Sequence, residues 1–119
     1  MTKTIALAFL LLFSLAAVAL AAEKTDEPVV LTGEIVDMHC YTSRGAHGPD
    51  HAGCSNACIS RDVPVGLLTA DGMLYLLLNE KPVAVKEKVA GMAGKTVKAT
   101  GKVIERNGVK AFQLVSVAE

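Results

Sequence analysis

The sequence predicts a mainly β fold: a small five-stranded barrel, with a helix that carries cysteine and histidine residues inserted after the first strand. Five runs of β-branched or alternating apolar residues predict the strands. Asp-Gly and Asn-Gly dipeptides between neighbouring runs predict two hairpins. A segment whose residue pattern is typical of a helix separates the third run from the fourth. This order matches an OB-like Greek-key barrel, and a generic five-stranded antiparallel sandwich is the alternative.

The N-terminus predicts a signal peptide over residues 1–21. Lys3 supplies a basic start, an apolar run follows over residues 5–18, and Ala19 and Ala21 place small residues at a cleavage site after Ala21. A retained membrane anchor is the alternative. The apolar run is close to the lower limit for a spanning helix and no basic cluster follows it, so we expect cleavage and no stable membrane insertion.

Cleavage would leave about 97 residues, enough for one small domain. Residues 22–28 form a polar lead that we expect to be flexible, and residues 29–119 form the domain, with the Cys/His insertion at residues 37–63. The whole chain has a formal net charge of zero and no basic stripe. Nucleic-acid binding requires many phosphate contacts from Lys and Arg, so we expect no nucleic-acid partner.

The first half of the domain combines one strand, one helix and one hairpin. Residues 29–36 predict the first strand, in which Gly33 indicates a bulge or a bend. Asp50 predicts a helix cap, and the helix would run over residues 51–61. Residues 65–70 and 73–78 are apolar runs joined by an Asp-Gly turn, which predicts a hairpin.

The second half predicts a helix and a further hairpin. Residues 82–92 have an imperfect apolar face, with a proline in the first turn and Gly94 as a stop signal. Residues 95–106 alternate between apolar and polar types, as a half-buried strand does, and Gly101 within them fits a barrel corner. Asn107-Gly108 predicts a tight turn, after which residues 109–117 close the hairpin.

All three cysteines and all three histidines lie within the insertion. On the predicted helix His51, Cys54 and Cys58 are three and then four residues apart and therefore share one face. Cys40, at the end of the first strand, can reach that face across a glycine-rich loop. Three thiolates and one imidazole form a tetrahedral set suited to zinc and soft enough for cuprous copper. The sequence therefore predicts one metal ion held by Cys40, His51, Cys54 and Cys58.

A disulfide is the alternative to the metal site, because small exported domains often contain one. Cys40 is placed to pair with Cys54 or Cys58, but any single disulfide leaves one thiol over. A bond between Cys54 and Cys58 within one helical turn would be strained.

Other side chains near the cluster have weaker signals. His47 is a candidate replacement ligand or a supporting group for the metal. His39 is expected at the surface, and Asp37 is a candidate to orient the ligand imidazole. No catalytic triad pattern is present, so the sequence leaves enzymatic activity open and favours a non-enzymatic role.

The insertion resembles a family of small uncharacterised exported bacterial proteins. The resemblance covers roughly residues 33–78 and rests on a spaced pattern: Cys40-Tyr41, Gly45, Gly48, His51, Cys54, Cys58, Pro64, Gly66 and Leu67. An OB-like β segment follows this pattern in the family. The resemblance implies a periplasmic or secreted location in the bacterial cell envelope, and it carries over to the four predicted ligands but not to His39 or His47.

Two functional hypotheses follow from the sequence. The first is an exported protein that binds one zinc or copper ion in a structural or carrier role. The second is a thiol/disulfide redox protein, or an OB-type binding module whose structure is held by a disulfide. In both cases a protein partner for metal or thiol exchange is expected. The pattern leaves the metal, the partner and the oligomeric state open.

Overall fold

The computed structural model describes residues 26–119. The predicted signal peptide and most of the predicted polar lead lie outside the described residues. The described elements, in chain order, are β1 (Val29–Asp37), α1 (Met38–Arg44), a 3-10 turn (Pro49–His51), α2 (Ala52–Ser60), β2 (Val65–Thr69), β3 (Leu74–Asn79), β4 (Thr96–Arg106) and β5 (Val109–Ala118). Within residues 26–119 no helix has the length and apolar character needed to cross a membrane.

The five strands close into a barrel in the order β1-β2-β3-β5-β4. β3 and β5 pair in parallel, and the other four pairings are antiparallel. This closure confirms the OB-like barrel and excludes the open antiparallel sandwich. Each observed strand end lies within one residue of its predicted position.

Two glycines fit backbone contacts that larger residues would disturb. β1 pairs with β2 and β4 simultaneously at Gly33, without a register shift, so this glycine marks a change of partner and not a bulge. The register between β4 and β5 does shift at Gly101. A Cβ atom on Gly101 would collide with the Gln113 carbonyl oxygen and would approach the Phe112 ring to 2.8 Å. The predicted barrel corner at Gly101 is therefore a bulge.

The barrel interior holds the main hydrophobic core. Every strand contributes at least one buried apolar side chain to it, and the largest of these side chains belong to Ile35, Leu67, Phe112 and Leu114. Ile59 from α2 packs against the same cluster, which ties the inserted helix to the barrel. The insertion is therefore a packed part of the domain.

The helix predicted over residues 82–92 is wrong. This segment forms successive turns, in which the N–H groups of Lys88 and Met92 donate to the carbonyls of Val85 and Val89, three residues earlier. Branched valines have low helix propensity, and Gly91 adopts a positive φ of 74°. Val85 and Val89 are nevertheless buried and belong to the barrel core.

Candidate metal centre

The cluster begins where β1 ends. Asp37 is the last residue of β1 and caps α1, since its Oδ1 accepts the Cys40 N–H at 2.7 Å. Gly45, with a φ of 69°, ends α1 in the left-handed conformation. Cys40 therefore lies in the first turn of a short helix and not at the end of a strand, as the sequence predicted. Its side chain is buried, with 5% exposed.

The remaining candidate ligands lie on and just before α2. A 3-10 turn over Pro49–His51 leads directly into α2. Asp50 lies inside that turn and makes no capping hydrogen bond, so the predicted Asp50 cap is wrong. The most deeply buried positions of α2 are Ser55 and Ile59.

Two groups of potential ligand atoms form at this junction, and they share one cysteine. Ligand atoms of Cys40, His51 and Cys54 all lie within 4.8 Å of one another. The same limit holds for Asp37, Cys40 and Cys58. Sulfur ligands bound tetrahedrally to zinc lie about 3.8 Å apart, so the separations in either group need to shrink by at most about 1 Å. The four predicted ligands are thus divided between two groups that share Cys40, and neither group described for residues 26–119 holds all four.

Asp37 is the polar centre of the cluster and is fully buried. Its Oδ2 accepts the Ser55 hydroxyl at 2.6 Å, while Oδ1 accepts the Cys40 amide. Burial by itself raises the pKa of the Asp37 carboxyl, but the hydrogen bonds from Ser55 and Cys40 outweigh burial and the pKa is lowered. One carboxylate therefore connects the helix of Cys40 to the helix of Cys54 and Cys58.

The thiols occupy distinct environments. Burial raises the pKa of the Cys40 thiol to about 11, the Asp37 carboxylate adds to the rise, and Arg44 opposes it. The Arg44 guanidinium donates to Cys40 Sγ at 3.3 Å. Burial also raises the pKa of Cys58, and the charges of Asp37 and Cys54 add to it. Cys54, by contrast, is exposed and gives the cluster its accessible edge.

His51 carries the clearest sign of a missing partner. Its Nε2 atom is buried and makes no hydrogen bond with any described residue. The nearest acidic atom, Asp37 Oδ2, lies 3.6 Å away. An unsatisfied buried ring nitrogen costs free energy unless another group binds it. A metal ion bound to this nitrogen would satisfy it.

The other two histidines lie apart from the ligand groups described for residues 26–119. His47 Nδ1 lies 3.1 Å from Glu34 Oε2, and the ring packs edge-on against Tyr41 at 5.8 Å between centroids. Glu34 also accepts the Gly48 N–H and so fixes the loop that leads to the 3-10 turn. His39 is exposed on α1, as the sequence predicted.

All three cysteines are free thiols in the structure. The sulfur of Cys40 is nevertheless within 4.8 Å of the sulfurs of both Cys54 and Cys58. The arrangement is therefore compatible with metal binding, and it also places Cys40 next to either partner for thiol chemistry.

Three residues of the site were missed or undervalued by sequence reasoning. Asp37 belongs to a ligand group, Ser55 anchors it, and Arg44 contacts the Cys40 sulfur. The available signal was an Asp three residues before Cys40, which is the spacing of a helix cap. The prediction that Cys40 lies at the end of the first strand left this helix cap unrecognised.

Comparisons with known proteins add no relative. The chain matches no protein-family model, no curated protein and no solved structure. The case for function therefore depends on the geometry of the cluster.

Proposed function

We propose that this chain is a small exported protein that binds one transition-metal ion, zinc or copper, through Cys40, His51, Cys54 and Cys58. The observation that carries the proposal is the convergence of Cys40, His51 and Cys54 within 4.8 Å, together with the buried Nε2 of His51, which has no hydrogen-bond partner among residues 26–119. Thiolate and imidazole are the ligands that zinc and cuprous copper prefer. Such a site would have a structural or carrier role.

Metal content is the first test. Protein purified without chelators or immobilised metal should contain about one ion per chain by elemental analysis and native mass spectrometry. Cys40→Ser should lose the most metal, because Cys40 belongs to both ligand groups, while Cys54→Ser and Cys58→Ser each disrupt one group. His51→Ala should also lose metal. A wild-type content far below one equivalent would contradict the proposal.

His39→Ala is the matched control for His51→Ala. His39 is a neighbour of Cys40 but is exposed, and it belongs to neither ligand group found among residues 26–119. This variant should retain the full metal content. Equal loss from the two variants would mean that histidine substitution acts through folding and not through ligation.

A thiol/disulfide function is the second candidate, and the position of the Cys40 sulfur beside both Cys54 and Cys58 favours it. Thiol counting on denatured, unreduced protein separates the two candidates. Three reactive thiols agree with the metal site, and one agrees with a disulfide. The exposed Cys54 would be the contact point for a partner protein that exchanges metal or thiols.

Export to the periplasm or the medium is the remaining part of the proposal. It depends on the N-terminal apolar segment and on the resemblance in the insertion. The intact mass of protein recovered from the cell envelope or medium should correspond to a chain that begins near Ala22. Recovery of the uncleaved chain from the cytoplasm would contradict export.

A further inference from the structure

Asp37 combines two properties that the four predicted ligands do not explain. Its side chain is fully buried, and it belongs to a ligand group with Cys40 and Cys58. Each of its oxygens accepts one hydrogen bond, from the Cys40 amide and from the Ser55 hydroxyl. A carboxylate oxygen has two acceptor positions, so both oxygens keep a lone pair for a further partner.

The charge around Asp37 is poorly balanced. Among residues 26–119 the one basic side chain in ion-pair contact with Asp37 is His51, at 3.6 Å. The Arg44 guanidinium is engaged with the Cys40 sulfur. Metal binding would convert the cysteines to thiolates and add negative charge next to the carboxylate. Buried charge without compensation is costly, so the occupied cluster favours the ion that brings more positive charge.

We propose that Asp37 is a specificity-determining residue that biases this cluster toward divalent zinc and against cuprous copper. The inference rests on the proposed metal-binding function. Zn²⁺ cancels two negative charges and accepts carboxylate oxygen as a ligand. Cu⁺ cancels one charge and prefers thiolate and thioether sulfur. Both differences act in the same direction at a site where a carboxylate and two cysteines converge.

Asp37→Asn tests the proposal with little change in shape. Asparagine is also a good helix cap, so it can keep the hydrogen bond with the Cys40 amide while it removes the charge. Dissociation constants for Zn²⁺ and Cu⁺ are measured separately, under anaerobic reducing conditions, by competition with a chromogenic zinc chelator and with bicinchoninate. Asp71→Asn, an exposed turn position, is the matched control.

We expect Asp37→Asn to lower the ratio of zinc affinity to cuprous affinity by about tenfold, equivalent to about 1.4 kcal/mol. Asp71→Asn should leave the ratio within threefold of the wild-type value. A ratio in Asp37→Asn that also stays within threefold would overturn the proposal, whatever happens to the two affinities individually. A purely structural role of Asp37 would weaken both ions equally and leave the ratio unchanged.

Asp37→Ser is a second neutral capping variant, and it is measured in the same way if Asp37→Asn fails to fold. The outcomes separate this inference from the function on which it rests. If the wild-type protein binds neither ion, the metal-binding function itself fails. If it binds both ions and neither neutral variant changes the ratio, only the role of Asp37 fails.

Discussion

Ser55→Ala should destabilise the metal-free protein more than any other single hydroxyl deletion in α2. Ser55 is 2% exposed, and its hydroxyl donates to the fully buried Asp37 carboxylate at 2.6 Å. Hydrogen bonds to charged groups contribute about 1.5–3 kcal/mol, and a buried carboxylate left short of a donor loses that amount. We therefore expect a loss of about 2 kcal/mol at pH 7, or a melting temperature lower by about 8–16 °C for a domain of this size.

Urea unfolding of the chelator-treated protein measures this loss, with Ser60→Ala as the control. Ser60 lies on the same helix, but it is exposed and donates to the Ala57 carbonyl at 2.8 Å. The control should stay within about 0.5 kcal/mol of the parent protein. A Ser55→Ala loss no larger than that of the control would refute the energetic role assigned to the Asp37 hydrogen bonds.

The stability lost in Ser55→Ala should also depend on pH, and it should become smaller as the pH falls. The pKa of Asp37 is lowered from its usual 3.8 in the folded protein, so its ionised form stabilises the fold above that pH, and the stabilisation fades as the pH falls through the folded value. The Ser55 hydrogen bond contributes to that lowering. The difference between Ser55→Ala and the parent should therefore narrow below about pH 3.8. If the difference in unfolding free energy stays constant from pH 7 to pH 3, the loss in Ser55→Ala comes from packing and not from the hydrogen bond to the carboxylate.

Four further outcomes are expected. Zinc at about one hundred times its dissociation constant should raise the free energy of unfolding by about 2.7 kcal/mol. Adding a chelator to the zinc-bound protein should therefore lower its melting temperature by about 10–20 °C. Because the pKa values of Cys40 and Cys58 are raised, both thiols are protonated at neutral pH; zinc binding should release protons in calorimetry, and affinity should fall between pH 8 and pH 6. Gly101→Ala should cost about 1–3 kcal/mol in urea unfolding, because its Cβ meets the backbone of β5. Gly53→Ala, in α2 with open space around the new Cβ, should instead stabilise by up to about 1 kcal/mol in the same assay.

The strands were predictable because their signals are local. Alternating side chains and the Asp-Gly and Asn-Gly turns are short-range features. They do not specify the parallel pairing of β3 with β5 that closes the barrel, which is why the sequence left the sandwich alternative open. The helix prediction for residues 82–92 failed because Val85 and Val89 are buried in the barrel core while Val83 is exposed, so the valines share no single buried helical face. A weak apolar periodicity does not indicate which part of the protein will bury the apolar side chains.

The candidate site was predicted in its residue types and only in part in its geometry. The spacing of His51, Cys54 and Cys58 indicated one helical face, and the structure brings these side chains to Cys40. The spacing of Asp37 and Cys40 fits a helix cap, but the spacing alone does not decide between a cap and a strand that continues to Cys40. The choice depends on the place where β1 stops pairing with β2, which is a tertiary property.

The last strand determines when the domain can fold. β5 pairs with β3 on the side away from β2, and β5 also pairs with β4 from Val109 to Ala118. Phe112 and Leu114, two of the largest core side chains, lie on this strand. A chain whose β5 has not yet left the ribosome therefore lacks the strand that closes its barrel and two of its largest core side chains. Contacts between such distant parts of a chain form slowly, so the three cysteines stay outside a folded domain until the ten residues of β5 have paired.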